Sequence, residues 1–279
     1  MIQNILVPTD FSTCATFAVN AAVLLAKKHD AKLHLISCTA HIEGKPTTSN
    51  HEEEDADYKR LVKKTNLLLE DLEKNIKTKY GKIIHKQVFG ALVEAILTYT
   101  EANEIDLIVM GSHGISGKNE YFIGSNTQKV VRKVHTPVLV IKNPVEHVDF
   151  KKVVFASEFN LSDIPVFQKM IEMVNMDEPI IHLVMINTSS WFGQPAALSK
   201  AAMEGFKKYC YPLECHIHFY RDFNVDAGIR HLSEDIKADL VTISNHERRP
   251  IKRILTGSSV EALVNHSEIP VLSLDYRDE

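Results

Sequence analysis

The chain repeats itself at the scale of a whole domain, and this restricts its fold more than any other feature. Asp106-Leu107-Ile108-Val109-Met110 reappears as Asp239-Leu240-Val241-Thr242-Ile243, displaced by 133 positions. The same displacement carries Gly124-Ser125 to Gly257-Ser258, and Thr136-Pro137-Val138-Leu139-Val140 to Ile269-Pro270-Val271-Leu272-Ser273. The openings match too: Asn4-Ile5-Leu6-Val7-Pro8-Thr9-Asp10-Phe11-Ser12 resembles Lys152-Val153-Val154-Phe155-Ala156-Ser157-Glu158-Phe159-Asn160. A period of roughly 140 residues is that of a duplicated domain, far longer than a solenoid repeat. The 279 residues therefore divide near Asn143-Pro144-Val145-Glu146, giving expected domains 1–145 and 146–279.

Each half alternates apolar strands with amphipathic helices. In the first, Ile5–Val7 reads as a strand, and Cys14, Ala18, Ala21, Ala22 and Leu25 recur at helical spacing. Strands follow at Lys32–Cys38 and Ile83–Val88, separated by a long helix marked by Tyr58, Leu61, Leu68, Leu72 and Ile76. A helix near Leu92–Ala102 leads to the strand Ile105–Val109, another helix and a last strand Val138–Ile141. The second half predicts helices near Asp163–Val174, Ala196–Tyr209, Asp226–Ile236 and Gly257–Asn265. Such alternation implies an α/β fold, a parallel sheet covered by helices on both faces. Ligands of these sheets bind beyond strand carboxyl ends, where the strand order reverses.

One segment at such an end carries chemistry. Met110-Gly111-Ser112-His113-Gly114 follows an apolar strand, and after nine intervening residues come Gly124-Ser125-Asn126-Thr127, opening a helix. Glycines let backbone approach an anion, and the free N–H groups of a helix start point toward it, so the segment can cradle phosphate. Pro8 and Asp10 lie just past another strand end and could face the same crevice. His113 could reach a phosphate or could pack locally.

Composition narrows the classes. Apolar residues make up 44% and charged residues 24%, with a formal net charge of -4. That describes a globular chain without the basic surface that nucleic acid requires. No apolar run approaches the roughly 20 residues of a membrane span, and Met1-Ile2-Gln3-Asn4 leads straight into a strand. Cys14, Cys38, Cys210 and Cys215 are too scattered for a disulfide framework. A cytoplasmic location is expected.

The opening Ile5-Leu6-Val7-Pro8-Thr9-Asp10-Phe11-Ser12, the Gly111-x2-Gly114-x9-Gly124-Ser125 loop and the closing Thr136-Pro137-Val138-Leu139-Val140 resemble those of the universal stress protein family. The resemblance covers nearly the whole chain as a tandem pair. It implies two Rossmann-like domains of the adenine nucleotide alpha hydrolase-like type, each a five-stranded parallel sheet with helices on both faces. One branch of the family binds ATP, and the first half matches it. The resemblance then places Pro8, Asp10 and Cys38 at the nucleoside and Met110, Gly111 and Gly114 in the glycine loop. Gly124, Ser125, Asn126 and Thr127 would hold the phosphates, with Mg2+ as an accompanying ion. A cysteine at position 38 departs from the family pattern. The resemblance further implies a stress response, an unidentified protein partner, and halves packed as a pseudo-dimer through their final strands, with a homodimer also open.

The second half departs from this pattern. Asp10 becomes Glu158, Pro8 becomes Ala156, and Gly111 and Gly114 become Ser244 and Glu247, although Gly257-Ser258-Ser259 survives. Lost glycines restrict the loop, and Glu247 sets a negative charge beside an anionic ligand. Arg248, Arg249, Lys252 and Arg253 could offset it or form a solvated face. A degenerate, structural or regulatory domain is expected there.

Other signals are weaker. His41–Asp57 reads as a polar loop or a lid, and its acidic run Glu52–Asp55 would also suit a helix start. Cys210-x4-Cys215-His216-x-His218 suggests a metal, but alternation along a strand sends Cys215 and His216 to opposite faces. Trp191-Phe192 covers its own domain or marks a partner surface. The chain has no Gly-x4-Gly-Lys-Ser/Thr loop, no acidic metal pair near the glycine loop and no evident base for water. A regulatory ATP-binding protein is therefore expected, with a nucleotide-free scaffold and a slow ATPase as alternatives.

Overall fold

The computed structural model describes residues 2–39, 51–114, 124–188, 195–245 and 262–275, with the side chains of 51–55 left aside. In the first half, strands β1 (Asn4–Pro8), β2 (Lys32–Thr39), β3 (Ile83–Phe89), β4 (Leu107–Gly111) and β5 (Val138–Ile141) alternate with four helices. These are α1 (Thr13–His29), α2 (His51–Lys77), α3 (Leu92–Ala102) and α4 (Ser125–Lys133). The second half has β6 (Lys152–Ala156), β7 (Ile180–Asn187), β8 (Cys215–Arg221), β9 (Leu240–Asn245) and β10 (Val271–Asp275). Its helices are α5 (Ile164–Val174), α6 (Ala196–Lys207) and α7 (Val225–Ile236), and residues 262–266 are also helical.

All ten strands form one sheet in the order β3-β2-β1-β4-β5-β10-β9-β6-β7-β8. Within each half the neighbours run parallel, so each half is a five-stranded parallel sheet as expected. The one antiparallel join is β5 with β10, where Leu139 faces Leu272. The final strands thus meet, and the second half mirrors the first across this join.

The repeat extends to backbone devices that sequence matching alone does not reveal. Asp106 Oδ2 accepts from the Asn4 amide at 2.9 Å, and Asp239 Oδ2 accepts from the matching Lys152 amide at 2.8 Å. Phe11 and Phe159 both adopt a left-handed φ, 63° and 55°, a conformation that costs a bulky residue energy. Each is held by the hydroxyl two residues earlier, Thr9 at 3.0 Å and Ser157 at 2.9 Å, accepting from its amide.

Two apolar layers sandwich the sheet. One contains α1, α2, α5 and α6, and packs Val19, Leu25 and Leu69 with Phe155, Phe167 and Phe206 across both halves. The other contains α3, α4, α7 and the 262–266 helix, through Ile96, Val130, Ile229 and Leu263. Continuity of the first layer fixes the halves against each other by apolar burial, at about 25 cal/mol per Å2. Polar contacts add to it. The Lys28 ammonium lies against Asp177, a side chain only 5% exposed, while Lys142 and Asn143 reach Glu268.

One sequence reading needs adjustment. α2 begins at His51, so the expected loop His41–Asp57 is helical from His51 onward and the acidic run lies in the first turns of α2; residues 41–50 are outside the described residues. Trp191-Phe192 also lies outside them, as do Glu247, the cations Arg248–Arg253 and Gly257-Ser258. Among the described residues no helix is long and apolar enough to cross a membrane.

Candidate functional site

Strand β1 has β2 on one side and β4 on the other. The chain steps away from β1 in both directions, so the order reverses between β1 and β4. Their register pairs Leu6 with Ile108, and two residues further along each strand come Pro8 and Met110. Both are buried at the carboxyl edge. The loops that leave this edge carry Asp10 on one side and Gly111–Gly114 on the other.

Asp10 is exposed, and its Oδ1 accepts from the Ser12 amide at 3.0 Å. The same short turn lets Ser12 cap α1, accepting from Ala15 N at 3.2 Å. Gly114 closes on Asp10 from the other loop: a Cβ there would collide with Oδ2, and Cγ would lie at 3.3 Å. The glycine therefore lets the carboxyl side chain and the loop approach each other. Gly111 serves a different contact. A Cβ on it would sit 2.8 Å from the Cys14 carbonyl carbon and 3.0 Å from Ala15 N, so this glycine lets the start of α1 close over β4.

Gly124 joins the two parts of the glycine segment. Its amide donates to Ser112 O at 2.7 Å, and a Cβ would come within 3.2 Å of His113 Cα. As N-cap of α4 it offers no side-chain acceptor, and the first turn of α4 contains no acidic residue. Ser125 and Asn126 are exposed on that turn. Thr127 faces inward instead, 3% exposed, with its hydroxyl donating to Gly111 O at 2.8 Å. It ties the helix start to the strand end. His113 Nδ1 lies 3.0 Å from Ser112 Oγ and 3.6 Å from Cys14 Sγ, which describes local packing.

Cys38 ends β2 at the rim of this edge, half-buried, with its thiol donating to Gly90 O at 3.3 Å. Burial raises its pKa. Gly90 has φ +100°, which a side chain would strain, and its amide donates to Thr39 O at 3.2 Å, joining the ends of β2 and β3. The structure thus gathers Pro8, Asp10, Met110, Gly111, Gly114, Gly124, Ser125 and Asn126 about one crevice. Cys38 sits one strand away and Thr127 lies beneath. A hollow of about 460 Å3 lined by Tyr58, Lys63, Gln87 and Phe89 is separate from it. Gln87 bonds Thr39, whose side chain points to the sheet face opposite that of Cys38.

The chain matches the family model described as "Universal stress protein family" over residues 1–142 and 213–274. The chain belongs to the universal stress protein family. Two universal stress proteins of Methanocaldococcus jannaschii are similar to it. One is 29% identical over 147 residues, covering 52% of this chain and 84% of the relative. The other is 31% identical over 156 residues, covering 51% and 96%. A universal stress protein structure from Archaeoglobus fulgidus DSM 4304 shares the fold along the whole length, with a TM-score of 0.72 at 19% identity. That likeness covers 99% of this chain and 97% of the other.

The corresponding edge of the second half of this universal stress protein is built differently. Ser157-Glu158-Phe159 keeps the left-handed turn, but the chain then enters a 3-10 turn, Leu161–Asp163, before α5. Asp163 is fully buried. Its carboxyl group accepts from Ser157 Oγ at 2.6 Å, Asn160 N at 2.9 Å and Ser244 Oγ at 3.2 Å. Ser244 stands where the first half has Gly111. Sequence reasoning identified the glycine-to-serine change but missed Asp163 as its partner; an aspartate three residues after a capping asparagine was the available signal.

Sequence reasoning also missed a matched pair of buried histidines. His34 on β2 and His182 on β7 occupy equivalent registers, opposite Leu6 and Val154. Burial lowers both pKa values to about 4, helped by Lys32 for the first and by His218 for the second. His34 is satisfied by Tyr99 Oη at 3.0 Å and Asn4 Oδ1 at 3.3 Å. His182 Nδ1 pairs with His218 Nε2 at 2.9 Å, and its ring stacks on His216.

Proposed function

We propose that this universal stress protein is organised as domains 1–145 and 146–279 and binds ATP as a regulatory ligand in the first. The observation that carries the reading is the convergence of exposed Asp10 with Gly114 and the uncapped start of α4 at the strand-order reversal. A carboxyl oxygen there can accept from ribose hydroxyls or an adenine amino group. Free N–H groups at the start of α4, with the Ser125 hydroxyl and Asn126 amide, can donate to phosphate oxygens, and the helix dipole favours their charge. Gly124, whose amide donates to Ser112 O, keeps the loop close enough to the start of α4 for those donors to converge.

Pro8 and Met110 form the apolar floor, and Cys38 borders the nucleoside end. ATP with Mg2+ supplies the negative charge that this donor set suits. The described residues near the crevice include no paired acids to seat a metal for phosphoryl transfer. Ligand binding, rather than turnover, is the role these groups fit. Bound nucleotide would act by biasing the contact between the halves, and so the surface offered to a protein partner.

Titrating Mg-ATP into the full chain by calorimetry tests this. Saturable binding that Asp10→Ala weakens by about tenfold, with unchanged thermal stability, is expected for loss of a hydrogen bond to ligand. Binding unaffected by that change, or absent from the unmutated protein, would overturn the reading.

A further inference from the structure

The sheet ends at β3, which pairs with β2 and has no strand on its other side among the described residues. The pairing runs from Leu33 with Ile83 to Thr39 with Phe89 without a bulge. Leu33 N donates to Lys82 O at 2.8 Å, and Gly90 N donates to Thr39 O at 3.2 Å. Main-chain groups along a strand point alternately to either side, so Lys82, Ile84, Lys86, Val88 and Gly90 turn toward β2. His85, Gln87 and Phe89 therefore turn their N–H and C=O groups outward, away from the sheet. A regular row of this kind is a template for a further strand.

Side chains alternate with the same period, so these three residues also share a face. His85 Nδ1 lies 2.9 Å from Glu73 Oε2 on α2, which identifies it as the face that α2 covers. Between that face and α2 lies the hollow of about 460 Å3. Gln87 and Phe89 form one wall, and Tyr58, Val62 and Asn66 of α2 form the other. Phe89 is 53% exposed, so its ring is available to a partner. Lys59 and Lys63, both exposed, are the charged groups among the described lining residues.

We infer that the β3 edge binds an extended acidic peptide of a partner protein, which adds to the sheet as a further strand. Main-chain hydrogen bonds to His85, Gln87 and Phe89 supply affinity, and the hollow supplies selection. Side chains of the added strand alternate, so one apolar residue can enter between Val62 and Phe89. Its neighbours two positions away stand about 6.8 Å along the same face. Acidic residues there meet Lys59 and Lys63, whose charge disfavours a basic peptide. Nucleotide binding is not required, since the hollow lies apart from the Asp10 crevice.

The test is fluorescence anisotropy of a labelled heptapeptide, Thr-Glu-Thr-Phe-Thr-Glu-Thr, titrated with the full chain, together with amide hydrogen exchange of the complex. Saturable binding is expected, with slowed exchange at the amides of His85, Gln87 and Phe89. N-methylating one alternate set of peptide amides should abolish binding, while the other set, facing solvent, should tolerate the change. Exchanging the peptide's glutamates for lysines should weaken binding about tenfold. Lys63→Glu should restore the lysine peptide, and the peptide series decides the matter even if that variant folds poorly. Absence of binding, equal binding of the two methylated peptides or of the lysine peptide, or protection confined to another part of the chain would overturn the proposal.

Discussion

The two crevices of this molecule begin with the same turn and end as different objects. Thr9-Asp10-Phe11 and Ser157-Glu158-Phe159 share a left-handed aromatic residue held by a hydroxyl. In the first half the chain then enters α1, whose backbone passes so close to β4 that only glycine fits at position 111. In the second half a 3-10 turn comes first, a serine occupies the equivalent position, and its hydroxyl donates to a buried Asp163. The strand-end glycine and the way the following helix starts are therefore one structural unit. Changing one goes with rebuilding the other, and the second crevice uses its acid internally while the first leaves Asp10 facing outward.

This contrast can be broken most severely at Asp163. Replacing it by alanine removes a fully buried carboxyl group and leaves its three donors without their acceptor, so Asp163→Ala should cost about 3 kcal/mol by chemical denaturation. Asp10→Ala, at the exposed position, should stay within about 0.5 kcal/mol. Similar losses for both would mean that the two acids do equivalent work. Next comes the close contact of Gly111. Gly111→Ala should cost about 2 kcal/mol through overpacking against the Cys14 backbone. Ser244→Ala in the other half should cost about 1 kcal/mol for one lost hydrogen bond, and the reverse ranking would contradict the packing described.

The buried histidine pair tests what the halves share. His34 and His182 have folded pKa values near 4, below the usual 6.5, so the unfolded chain binds more protons between those values. Stability should be complete above about pH 6.5 and fall as pH drops toward 4, by at most about 1.4 kcal/mol per pH unit per histidine. Denaturant titrations across this range should show less pH dependence in His34→Gln and His182→Gln variants. An unchanged slope in both would show that these histidines are not held neutral.

The repeat made the fold legible: paired glycines, prolines and apolar runs marked the alternation of strands and helices in both halves, and helix bounds mostly followed from periodicity. The start of α2 was obscured because the acidic run Glu52–Asp55 reads as solvated loop as readily as helix. Within the site, Asp10, Gly114 and Gly124 were visible because turn chemistry is local in sequence. The role of Gly111 was not, since its constraint comes from Cys14, far away in the chain. Thr127 looked like a ligand donor, and only the packing of α4 on β4 turns its hydroxyl to Gly111 O. Asp163 and the His34–His182 pair were missed because burial, not residue type, gives them their character.

The central claim is one nucleotide site in the first half and none in the second. The most direct test is the stoichiometry of Mg-ATP binding to the full chain, alongside Gly114→Glu, which sets a carboxylate against Asp10. The account predicts one site per chain, abolished by that substitution. Two sites per chain, or one site that survives Gly114→Glu, would contradict it.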